Sequence, residues 1–127
     1  MGTAPSFWIS FGTTLALLAT ALVSGLRGGR RLHLVAGPLT LVSLAVTVVL
    51  TEQLMRGYRF PEQALRVHLW FAKAGGALAL PVLLTGIWLW RRPAARRWHL
   101  AAVLAFVVGA LLATGTGVWM FVQGEPK

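Results

Sequence analysis

Four long runs of apolar residues constrain this chain more than anything else in it. They cover about residues 7–26, 32–52, 65–90 and 97–122. Each reaches the roughly 20 residues that an α-helix needs to cross the hydrocarbon core of a bilayer. The first is free of charge, the second closes on Glu52, and within the third lie His68 and Lys73. Lipid offers the peptide backbone no hydrogen bonds, so each run is expected to be a helix. The runs are continuous rather than alternating, which argues against membrane strands. Of 127 residues, 57% are hydrophobic and 12% charged. A soluble domain of this size carries about a quarter of its residues charged. That composition argues against a soluble globular enzyme and against a disordered or collagen-like chain.

The breaks between the runs are short. Arg27-Gly28-Gly29-Arg30-Arg31 forms the first, Arg56-Gly57-Tyr58-Arg59-Phe60-Pro61 the second and Arg91-Arg92-Pro93 the third. Short links place successive helices antiparallel. The expected fold is therefore all-α, an up-down-up-down four-helix membrane bundle in a single domain over residues 1–127. Loops one and three hold Arg27, Arg30, Arg31, Arg91, Arg92, Arg96 and Arg97. Loop two holds Arg56, Arg59 and Arg66, offset in part by Glu52 and Glu62. Basic residues mark the cytoplasmic side, so both termini are expected outside. The net charge of +9 is thus a topology signal, and no nucleic-acid partner is expected. Five of the six tryptophans, Trp8, Trp88, Trp90, Trp98 and Trp119, fall near span ends, and Trp70 about one turn in. They read as an interfacial belt. Met1-Gly2-Thr3-Ala4-Pro5-Ser6 fits a loose myristoylation pattern. A spanning helix follows at once and the basic start of a signal peptide is missing, so the first helix is expected to be retained without a lipid.

The chain carries an internal echo. Arg30-Arg31-Leu32-His33-Leu34 returns as Arg96-Arg97-Trp98-His99-Leu100. Each copy follows a helix rich in small residues, ending near Ser24-Gly25 and Thr85-Gly86. Two tandem helical hairpins explain the repeat; so does the shared chemistry of an inner interface. On helix two the face of His33 runs through Gly37, Thr40, Leu44, Thr47 and Thr51, a polar side that should face protein. The His68 face runs through Ala72, Gly75, Ala79, Val82 and Gly86, and helix four shows Ala101, Ala105, Gly109, Ala113 and Gly117. Such small stripes allow close helix packing in lipid. They also leave room for a flat cofactor.

Chemistry has little raw material here. There is no cysteine, and only Glu52, Glu62 and Glu125 are acidic. Thiolate metal sites and paired-carboxylate catalysis are excluded. No P-loop, nucleophile elbow or metalloprotease motif is present, and catalytic residues are not expected. Ionisable groups inside a membrane are costly and mark functional sites. His33 and His99 therefore have two readings. One is interfacial, with each ring bonded to lipid phosphate or a loop carbonyl. The other is a haem b between helices two and four, with His33 and His99 as axial ligands. Gly37 would give clearance, and Arg30, Arg31, Arg96 and Arg97 would pair with propionates. His68 lacks a histidine partner at its depth, with Met55 and Met120 its possible companions, and could bond a quinone head group. Lys73 either snorkels outward or pairs with Glu52. At five residues from His68 it points roughly 140° away around the helix.

Together, these features resemble the small membrane b-type cytochromes, whose four-helix cores hold haem between histidines on alternate helices. The resemblance rests on Arg30-Arg31-Leu32-His33 and Arg96-Arg97-Trp98-His99 and covers most of the chain in architecture. It implies electron transfer through one haem, quinone-linked or transmembrane. It departs from the two-haem pattern, because helix one offers no histidine to pair with His68. The other expectation is a cofactor-free accessory subunit of a larger respiratory or photosynthetic membrane complex, with other membrane proteins as partners. A small transporter or channel trails both, since interrupted helices and buried acidic residues are its usual marks.

Overall fold

A computed structural model of the chain describes residues 3–127. The myristoylation pattern at Met1 and Gly2 lies outside them. Helices dominate: α1 is Thr3–Leu26, α2 Arg30–Met55, α3 Glu62–Ala77, α4 Ala79–Arg91 and α5 Arg96–Val122, with a short 3₁₀ turn at Pro93–Ala95 before α5. Two-residue strands occur at Tyr58–Arg59 and Glu125–Pro126, where the sequence reading had only loop and tail. Four segments are long and apolar enough to cross a membrane: Ala4–Leu26, Arg30–Met55, Glu62–Arg91 and Pro93–Val122. This is an all-α membrane architecture of four spans.

Its surface supports the same conclusion. All six tryptophans and many leucines, valines and isoleucines are exposed, Val122 at 80% and Ile9 at 71% among them. Water would not tolerate that much uncovered apolar area, whereas lipid does. The buried apolar set is small: Ala21, Ala36, Ala64, Ala95, Ala102, Phe106 and Met120. Small side chains dominate it because helices in lipid gain from close backbone approach rather than from hiding large side chains.

The third span comprises α3 and α4, which meet at Leu78; the hydrogen bonds from Leu78 N–H to Ala74 and from Val82 N–H to Leu78 carry across the junction. Pro81 has no N–H for the Ala77 carbonyl, and its ring crowds that oxygen. Pro38, by contrast, sits inside an unbroken α2.

The chain divides into two compact units. The first comprises the described residues up to 58 with Lys127, whose N–H donates to the Gly57 carbonyl at 2.9 Å; the second comprises residues 59–126. In the first unit α1 and α2 are antiparallel: Ser10 meets Thr47, Thr14 meets Ser43, and Ala21 meets His33. Their turn needs a glycine. Gly28 has φ +75°, and the Gly29 N–H returns to the Ser24 carbonyl at 2.8 Å, closing the end of α1. The second unit is also an antiparallel pair. Here α3 and α4 together form one arm and α5 the other. His68 meets Thr116, Gly75 meets Gly109, and Thr85 meets His99.

Candidate functional site

Each of the three histidines lies in a helix seam of its own unit, and all three seams share one design. His33 is near the start of α2. Its Nδ1 lies 2.8 Å from the Ala21 carbonyl on α1. A Cβ placed on Gly25 would come within 3.0 Å of the ring, so only glycine lets the imidazole sit there. Ser24 donates to the same Ala21 carbonyl at 3.2 Å. His99, one turn into α5, repeats the arrangement. Its Nδ1 lies 3.0 Å from Thr85 Oγ1, and a Cβ on Gly86 would come within 3.3 Å of its ring. The two Arg-Arg-x-His-Leu segments thus do the same work on the two small-residue helix ends, Ser24-Gly25 and Thr85-Gly86.

His68 supplies a third copy that its sequence neighbourhood did not announce. Its Nδ1 lies 3.3 Å from Thr116 Oγ1, and a Cβ on Gly117 would come within 3.0 Å of its ring. The seat is again a hydroxyl residue followed by glycine. The signal was present in Thr116-Gly117, but finding it required knowing which helix His68 faces.

These contacts fix proton positions. A carbonyl can only accept, so toward Ala21 the His33 ring must donate through Nδ1–H. Thr85 Oγ1 donates its one proton to the Pro81 carbonyl at 2.6 Å, with Val82 at 3.2 Å. Toward His99 Nδ1 the direction of the bond follows the tautomer of the ring. Thr116 Oγ1 likewise donates to the Leu112 carbonyl at 2.7 Å. In the neutral ring the Nδ1–H tautomer carries its lone pair on Nε2. His68 and His99 are each 9% exposed, and His33 is half-buried.

The remaining expected site residues sit as follows. Gly37 borders open space, with nothing within 4 Å of an added Cβ. Arg30, Arg31, Arg96 and Arg97 are exposed at the ends of their helices, and the Arg97 guanidinium lies 5.2 Å from the Trp98 ring. Lys73 is exposed on α3, whereas His68 on the same helix is buried. Glu52 is exposed, and Arg66 pairs with Glu62 one turn before it on α3. Met120 is fully buried and Met55 half-buried.

The sequence reading missed a polar cluster in the first unit. Ser10 and Thr14 on α1 meet Ser43 and Thr47 on α2. The hydroxyl separations are 2.7 Å for Ser10–Thr47, 2.6 Å for Thr14–Ser43 and 2.9 Å for Thr14–Thr47. Thr40 and Thr47 were expected to face protein, and both are buried. The α1 side of the contact escaped notice because Ser10 and Thr14 are single polar residues in an apolar run. The second unit is zipped by backbone contact instead. A Cβ on Gly75 would lie 3.1 Å from Gly109 backbone atoms, and an open apolar groove of about 440 Å³ runs over the crossing. The groove is lined by Trp70, Leu78, Leu104 and Leu112 among others and has no chemistry of its own. Among the described residues no cluster of three metal-ligating side chains occurs. No family model, curated protein or solved structure matches this chain.

Proposed function

We propose that this multi-pass membrane protein is a single-haem b-type electron carrier, with His33 and His99 as axial ligands. The observation supporting it is the shared ring geometry. Both imidazoles hold Nδ1 within hydrogen-bond distance of an oxygen on the neighbouring helix, and against the Ala21 carbonyl the His33 ring donates through Nδ1–H. That is the tautomer whose Nε2 coordinates iron, and the second-shell bond is the kind that orients a ligating histidine. The haem would supply the one-electron couple. The chain's part is to hold two neutral, oriented imidazoles. Exposed Arg30, Arg31, Arg96 and Arg97 offer charge-assisted bonds to propionates, and Gly37 leaves open space beside its helix.

The test is a reduced-minus-oxidised absorbance spectrum of purified protein expressed with adequate haem, with a pyridine haemochrome assay for stoichiometry. The expected result is a sharp reduced α-band at about one haem per chain, consistent with two protein ligands per iron. His33→Ala and His99→Ala should each abolish haem retention, and His68→Ala should spare it. Bound haem that survives both substitutions overturns the assignment.

One observation favours a second reading, a cofactor-free accessory subunit of a larger membrane complex. Every histidine already has structural work, clamping one helix onto a glycine of the next. Under this reading the spectrum is flat, and the protein co-purifies with larger membrane partners in mild detergent. A solitary monodisperse species at native expression level refutes it.

A further inference from the structure

We infer that Thr85 is a positioning residue. Its Oγ1 fixes neutral His99 as the Nδ1–H tautomer and so makes Nε2 the atom able to bind a metal. The inference rests on the haem reading only for the use made of Nε2; the tautomer stands on the geometry alone.

A neutral imidazole in water favours the opposite tautomer, with the proton on Nε2. Something must reverse that preference at His99. Thr85 Oγ1 lies 3.0 Å from His99 Nδ1, and donating to the Pro81 carbonyl at 2.6 Å uses its one proton. Its lone pairs therefore face Nδ1. Pro81 removes one helical N–H, which leaves the Ala77 carbonyl without its usual i+4 donor. Gly86 lets the ring lie against α4, since an added Cβ would approach Cε1 to 3.3 Å. At 9% exposure, bulk water has little access to replace the threonine. His33 differs in one respect. Its acceptor is the Ala21 backbone carbonyl, which no side-chain substitution removes. His33 is therefore an internal control within the same molecule.

The experiment uses the full-length chain labelled with ¹⁵N-histidine, grown under haem limitation and held in detergent micelles. Long-range ¹H–¹⁵N spectra are recorded at alkaline pH, where the rings are neutral. Expected are Nδ1–H for His33 and His99 in the wild type and in Thr85→Ser. In Thr85→Val, His99 should pass mainly to Nε2–H while His33 stays unchanged. A wild-type His99 in the Nε2–H form overturns the inference, as does a Thr85→Val protein that keeps Nδ1–H. The wild-type spectrum decides by itself if Thr85→Val fails to fold. In haem-loaded protein, Thr85→Val should shift the midpoint potential positive, because a ligand that loses its Nδ1–H bond is less basic and stabilises ferric iron less. Thr85→Ser should restore it. Should the tautomers come out as expected in a wild type that binds no haem, the role of Thr85 is upheld and the haem reading is refuted.

Discussion

Removing the Thr47 hydroxyl should loosen the first unit by an amount the structure lets us work out. Thr47→Val keeps the β-branched shape and deletes one oxygen. That oxygen makes two bonds to α1, to Ser10 at 2.7 Å and to Thr14 at 2.9 Å, and one within α2 to the Ser43 carbonyl. Side-chain hydrogen bonds between membrane helices average about 0.6 kcal/mol and reach about 1.7 kcal/mol. Two such bonds give an expected loss of about 1–3 kcal/mol. Thr51 is the control. Its hydroxyl bonds only to the Thr47 carbonyl of its own helix, a bond that adds nothing between helices. Thr51→Val should be close to neutral. Both variants are titrated with dodecyl sulfate in mixed micelles and followed by far-ultraviolet circular dichroism. A Ser10→Ala/Thr47→Val double-mutant cycle then isolates the pair, with an expected coupling of about 0.6–1.7 kcal/mol. Equal stability of Thr47→Val and Thr51→Val, or zero coupling, would refute the claim that this cluster pins α1 to α2.

Other expectations follow from the same geometry. Gly75→Val should separate α3 from α5, since an added Cβ meets Gly109 backbone atoms at 3.1 Å and backbone cannot rotate away. Gly115→Ala on α5 borders open space and should be tolerated in the same titration; equal losses would contradict the packing. Gly25→Leu should displace the His33 ring, which a Cβ already approaches to 3.0 Å, and under the haem reading it should remove the α-band as His33→Ala does. Orientation is testable because the chain has no cysteine. Arg92→Cys should resist an impermeant maleimide in intact cells and Glu125→Cys should react, as outside termini require; the reverse pattern inverts the topology.

Much of this architecture was legible in the residues alone. Four apolar runs determine four spans because the bilayer's thickness fixes the length and its dryness fixes the helix. The repeated Arg-Arg-x-His-Leu segments and the small-residue ends at Ser24-Gly25 and Thr85-Gly86 were visible as strings. Helix periodicity also marked the buried side of α2, where Thr40 and Thr47 lie. Tertiary structure alone decided which glycine receives which ring. His33 rests on Gly25, His99 on Gly86 and His68 on Gly117. It alone joined Ser10 and Thr14 to Ser43 and Thr47, and it alone brought Thr85 Oγ1 within reach of both the Pro81 carbonyl and His99 Nδ1. The reason is physical. The faces of one helix follow from local spacing, but a hydrogen bond between helices depends on their relative rotation and depth. Those are set by the closest approach of small residues such as Gly75 and Gly109, which no single helix specifies.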